Sequence, residues 1–92
     1  MISESKKTEL TNFFQSANAF GFLIYGHTDA RASDEYNMKL SQRRANAVAI
    51  VAQGAGSNVV DAKGFGERQP RAQGNSAAAL QQNRRVEIYC VR

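Results

Sequence analysis

The 92-residue chain contains one cysteine, one proline, one histidine and no tryptophan. A lone Cys90 permits no internal disulfide, and its place in an alternating apolar stretch reads as a small core residue rather than a nucleophile. His27 lies near Asp29, as in an acid/base pair. With no second histidine and no Ser or Cys placed as a nucleophile, neither a metal site nor a catalytic triad has support. No enzyme activity, cofactor or metal is expected, and His27 is read as ordering its turn by hydrogen bonding. Long apolar runs are also missing, so no segment can span a bilayer. Met1-Ile2-Ser3-Glu4 lacks the basic start and apolar stretch of a signal peptide.

What the chain does have is an uneven positive charge. The net charge is +4 overall. Residues 1–30 hold two Lys and three acids, whereas residues 31–92 hold ten Lys and Arg and five acids. This balance suits a carboxylate-rich partner and would equally suit nucleic acid. The length fits one small domain, residues 1–92, with a modest core.

The organising stretch is Gly21 to Arg44. Phe22-Leu23-Ile24-Tyr25 is an unbroken apolar run, the pattern of a strand covered on both faces. It ends in Gly26-His27-Thr28-Asp29, at the strand end where ligands bind in layered α/β sheets. A helix follows, with Ser33 or Asp34 as N-cap and Gly54 or Gly56 as terminator. At 3.6 residues per turn, Asn37, Leu40, Ser41, Arg44, Ala47, Val48 and Val51 share one stripe, while Lys39, Arg43 and Ile50 point away. An arginine on a buried stripe needs an anion opposite, and Asp29 is the nearest candidate.

Before this unit, Glu4 to Ala17 reads as a helix that lays Leu10, Phe13, Phe14 and Ala17 on the sheet, with Lys6, Lys7 and Glu9 solvated. After it, Asn58 to Lys63 reads as a strand with Val60 and Ala62 on one face. Right-handed crossover makes it parallel to the first strand in a βαβ unit. Gly64 to Pro70 is turn-rich, without the helix cap and Lys-Ser/Thr of a phosphate loop. Arg71 to Gln82 reads as a loop entering a short helix at Ala77 to Gln82. Asn83 to Val91 closes the chain as a strand, with Val86, Ile88 and Cys90 on the inner face and Arg85, Glu87 and Tyr89 on the other. Tyr25, Tyr36 and Phe65 are read as core or pocket wall. The fold class expected is α+β: a two-layer sandwich with helices on one face of a small mixed sheet.

Several of these residues carry a resemblance. Gly26 to Asp29 (GHTD), Tyr36, Asn37, Leu40, Ser41, Arg43 to Ala45, Ala47, Val48, Gly64, Gly66, Glu67, Pro70 and Asn83 to Ile88 are similar, in order and over about two thirds of the chain, to the OmpA-like peptidoglycan-binding family. The resemblance implies noncovalent binding of the peptide stem of peptidoglycan through meso-diaminopimelate, in the periplasm, anchoring the cell envelope or a membrane protein to the wall. It assigns Asp29 and Arg44 to clamp the amino acid head group of diaminopimelate, Asp29 on the ammonium and Arg44 on the carboxylate. Thr28, Asn37 and Leu40 join them, together with one arginine of Arg84-Arg85. Strand parity selects Arg84; that both are surface ion-pair partners stays open. Asp29 can also be read as a cap or a partner for Arg44, and Asn37 as a cap of the first helical turn.

Relative to the family the chain departs at Ala30 to Ser33, where a glycine is usual. It also starts after the family's first strand and loop, so an N-terminally truncated, excised domain with an exposed sheet edge is expected. That edge invites a homodimer. The alternative to peptidoglycan binding is a structural interaction or dimerisation domain with a disabled pocket. Nucleic-acid binding would account for the charge but not for Asp29 or the inward-facing Arg44. No membrane insertion by this segment is expected.

Overall fold

In a computed structural model, residues 2–28, 33–66 and 84–92 are described. They form α1 (Glu4–Ser16), β1 (Gly21–Gly26), α2 (Asp34–Gly54), β2 (Val59–Gly64) and β3 (Val86–Val91). The sheet order is β2-β1-β3, with β1 parallel to β2 and antiparallel to β3. Both helices begin on a serine cap. Ser3 Oγ accepts from Lys6 N, and Ser33 Oγ accepts from Tyr36 N at 3.2 Å, satisfying amide donors that the first helical turn leaves orphaned. Gly56, at φ +86°, takes the left-handed conformation just beyond α2 that other residues avoid. The architecture is the expected α+β sandwich with a small mixed sheet. The expected helix at Ala77 to Gln82, and the turn beyond Gly66, lie outside the described residues.

The core forms where α1 and α2 lie on the sheet. Phe14, Phe22, Ile24, Ala45, Val48, Ala49, Val51 and Ala52 are buried together, and Phe14 meets Phe22 edge-to-face at 4.9 Å. Leu10 and Ala17 pack beside them as expected. Phe13 does not: it stays 43% exposed, touching Phe14 and Phe22 from the rim.

α2 sits closer to the sheet, and rotated further round, than its apolar pattern implies. A Cβ on Gly26 would lie 2.1 Å from the Ser41 carbonyl oxygen, and one on Gly64 would lie 2.3 Å from Gln42 N. These two strand-end glycines let the helix backbone touch the sheet, so the turns seated deepest are those of Ser41, Ala45 and Ala52. Leu40, Arg44 and Ala47 are thereby moved to the shoulder of the contact, half-buried. Arg44 therefore needs no buried counter-anion. Lys39 and Ile50 point outward as expected.

Three strand expectations change. The register slips between Phe22↔Val59 and Leu23↔Asp61, so Val60 is the extra residue of a bulge and is 48% exposed, while Val59 and Ala62 pack on the core. Cys90 is exposed rather than internal. Its partner Phe22 lies under α1, whereas Cys90 sits one strand further out on β3, past the helix cover. Finally, β1 is not covered equally on both faces. Phe22 and Ile24 face the helices and are buried; Leu23 and Tyr25 are half-buried on a face that no described helix covers.

Candidate functional site

A groove of about 900 Å³ opens along the edge of the helix layer, lined by α1, α2 and β3. Its floor is apolar, from Leu10, Ala47, Val48, Val86 and Ile88. Its polar lining is wholly cationic among the described residues: Lys6, Arg43, Arg44 and Arg84. Low-dielectric walls under charge of one sign concentrate field and raise the local concentration of anions. No described carboxylate lies within ion-pair distance of Arg43 or Arg44; Lys6 reaches Glu9 at 3.3 Å on the outer surface of α1.

The shoulder position of α2 brings Leu40 and Arg44 into the groove, and the strand parity of β3 brings Arg84, so these three expected site residues are assembled. Arg85 is diverted. Its Nε donates to Glu87 Oε2 at 2.7 Å on the opposite face of the sheet. Only one arginine of the doublet therefore enters the groove, and it is the one that parity selects.

Thr28, just past β1, and Asn37, in the first turn of α2, are buried, at 3% and 2% exposure, and neither is among the residues that line the groove. Thr28 N donates to Gly66 O at 2.8 Å, and Thr28 Oγ1 has no hydrogen-bond partner among the described residues. Asn37 N donates to Ser33 O in the first turn of α2. Asp29, the proposed ammonium partner, and the Ala30 to Ala32 turn lie outside the described residues. Tyr36 is 52% exposed, so it is neither core nor wall; Tyr25 and Phe65 pack together on the helix-free face and do not line the groove.

Several contributors have no strong sequence signal. Lys6 and Arg43 read as solvated, yet both reach the groove mouth. Ser41 Oγ donates to Met38 O and accepts from Gly66 N at 2.8 Å, while Gln42 bridges Ala62 O and Gly64 N, locking the end of β2 beneath Thr28. His27, expected to brace its own turn, instead directs Nε2 to Glu87 Oε1 on β3 at 3.2 Å. An alternating Arg-x-Glu-x-Tyr run, which sets Arg85, Glu87 and Tyr89 on one face of a strand, was the available hint.

Glu87 is the focus of that second cluster. Burial opposes its ionisation, but hydrogen bonds from Arg85 and from Tyr89, whose hydroxyl donates at 2.8 Å, outweigh it. The charges of Arg85 and His27 act the same way, and together they hold the carboxyl down at about 2.

Two helices on one face of a three-stranded mixed sheet, with a cationic groove along the edge of the helix layer, define a small α+β domain. The chain belongs to the OmpA family, whose model matches residues 1–84. It is 42% identical over 74 residues to the peptidoglycan-associated lipoprotein of Pseudomonas putida, covering 78% of this chain and 45% of that one. Among solved structures it resembles the peptidoglycan-associated lipoprotein from Burkholderia pseudomallei, with TM-score 0.79 and 30% identity over 94% of this chain and 77% of that one. It also resembles the cell wall anchor of the T6SS from Pseudomonas aeruginosa, with TM-score 0.75 and 29% identity over 94% of this chain and 66% of that one. The chain spans about half or less of the length of the curated relatives it matches. None of its described helices is long and apolar enough to cross a membrane.

Proposed function

We propose that residues 1–92 form a peptidoglycan-binding domain that works in the periplasm, tethering a cell-envelope protein to the wall without covalent chemistry. The observation that carries this reading is the groove that Leu40 and Arg44 on α2 and Arg84 at the start of β3 line together, in a member of a family that includes peptidoglycan-associated lipoproteins. The stem peptide of peptidoglycan is rich in carboxylates and small apolar side chains, and the groove offers guanidinium groups above an apolar floor.

In the finer form of the proposal, the ligand is meso-diaminopimelate. Its side-chain terminus carries an ammonium and a carboxylate together. Asp29 takes the ammonium, and the planar fork of Arg44 takes the carboxylate through paired hydrogen bonds. Leu40 flanks the aliphatic chain, and Arg84 meets a further carboxylate. Each charge-assisted bond contributes about 1.5–3 kcal/mol net, so one domain binds modestly; firm anchoring comes from many stems along a polymer.

Co-sedimentation with purified peptidoglycan sacculi tests the proposal. The domain is expected to pellet with sacculi, and Asp29→Ala and Arg44→Ala are expected to remain in the supernatant. A folded wild-type domain that stays in the supernatant overturns it. A second reading, a dimerisation domain, draws on β3, whose outer edge pairs with no described strand. A concentration-dependent dimer in analytical ultracentrifugation that persists in the Asp29→Ala/Arg44→Ala variant, alongside failure to bind sacculi, favours it.

A further inference from the structure

The His27–Glu87–Arg85–Tyr89 cluster lies on the far side of the sheet from the groove and has no part in the binding proposed above. It nevertheless joins the ends of all three strands. Glu87 Oε1 faces His27 Nε2 at 3.2 Å and accepts from Tyr89 OH at 2.8 Å, while Oε2 accepts from Arg85 Nε at 2.7 Å. The backbone repeats the link, since His27 N donates to Arg85 O at 2.8 Å. The His27 ring, 1% exposed, stacks on Phe65 at 5.6 Å with planes 14° apart, and Phe65 N donates to Gly26 O at 2.9 Å just past the end of β2.

Arg85 and His27 each adjoin a stretch that the binding proposal uses. Arg85 precedes β3 and follows Arg84; His27 precedes Thr28 and Asp29; Gly66, after Phe65, accepts from Thr28 N. An Arg-Arg doublet at a strand start has two ways to present its guanidinium groups. Glu87, with its carboxylate only 18% exposed, removes one of them by retaining Arg85. Sites that read small charged groups depend on such supporting contacts to hold the contacting side chains to within a fraction of an ångström.

We propose that Glu87 is a positioning residue for the groove. By retaining Arg85 and His27 on the helix-free face it presents Arg84, and not Arg85, to the ligand, and it fixes the end of β1 at His27, next to Thr28. This rests on the peptidoglycan reading and concerns the same ligand class, a carboxylate-bearing stem peptide.

The test is titration of the full 92-residue chain with a meso-diaminopimelate stem peptide, at a temperature where circular dichroism shows each variant fully folded. Glu87→Ala is expected to weaken binding about tenfold, the scale on which outer partners matter at ligand sites, and the isosteric Glu87→Gln by less. In an Arg84→Ala background Glu87→Gln is expected to lose most of its effect, a coupling that a general loss of stability does not produce. Folded Glu87 variants that bind as the wild type does, or an equal loss with and without Arg84, overturn the inference while leaving the binding reading intact. Should Glu87→Ala fail to fold, Glu87→Gln carries the measurement. A folded wild-type chain that ignores the peptide removes the binding reading, and this inference with it.

Discussion

The two faces of the sheet are held by different forces. On the helix-covered face the fit is steric: Gly26 and Gly64 bring the α2 backbone to van der Waals distance, and alanines fill the seam. On the other face no described helix intervenes, and order comes from rings and charges. Tyr25 meets Phe65 edge-on at 5.1 Å, Lys63 stands 5.5 Å from the Phe65 ring centre, and Glu87 gathers Arg85, Tyr89 and His27. The first face is expected to be intolerant of volume and indifferent to pH, the second tolerant of volume and responsive to charge. The groove lies on the packed side, taking its shape from that face and, on the inference above, the aim of Arg84 from the charged one.

The sharpest way to break this contrast is to add volume to the packed face. Gly26→Ala drives a methyl group into a backbone carbonyl that cannot step aside, and is expected to destabilise the domain by about 3 kcal/mol or more in urea unfolding. A cost under about 1 kcal/mol would mean that α2 shifts freely and the close approach is not structural.

Acid addresses the charged face. Glu87 titrates near 2 in the folded protein against a usual 4.5. Its ionised form is therefore favoured by folding, a contribution fully present above about pH 4.5 and lost as pH falls toward 2. Thermal melting of the wild type should fall more steeply across that window than that of Glu87→Gln, so that the difference between them narrows. Parallel curves would show that the contacts from Arg85, Tyr89 and His27 contribute nothing to the carboxylate's affinity for its proton.

Tyr89→Phe removes one donor to Glu87 from a half-exposed position, leaving Arg85 and His27 in place. About 0.5–1.5 kcal/mol should be lost, measurable as a small drop in urea midpoint at unchanged slope. Smallest of all is the exposed Glu35–Lys39 pair on α2, at 3.3 Å. Lys39→Ala should change stability by no more than about 0.5 kcal/mol, and that residue only at low salt. A larger effect would show that surface charge matters more on this molecule than the division between the faces allows.

Much of this was legible in the chain, for reasons that differ by element. The five described elements announce themselves through a helix cap at Ser33 or Asp34, glycine breaks and periodicity, and parity, added to the resemblance, favoured Arg84 over Arg85. The seating of α2 was not legible. Periodicity shows that the Asn37–Val51 stripe faces the sheet, but its angle is set by two glycines on other strands, which move Arg44 from the centre of the contact to its shoulder. The exposure of Val60 depends on a bulge against β1, and that of Cys90 on where the helix layer ends; both are tertiary facts without a local signature. Glu87 was placed only on the outer face of its strand with Arg85 and Tyr89, because its partner His27 is sixty residues away. Asp29 remains a proposal from sequence.

The measurement closest to the central claim is calorimetric titration of the domain with a stem peptide containing meso-diaminopimelate and with the same peptide containing lysine, repeated on Asp29→Ala. Lysine keeps the ammonium but lacks the second carboxylate. The account predicts modest heat-releasing binding of the diaminopimelate peptide alone, lost in Asp29→Ala. Equal affinity for both peptides, or no binding by the folded wild-type domain, would contradict it.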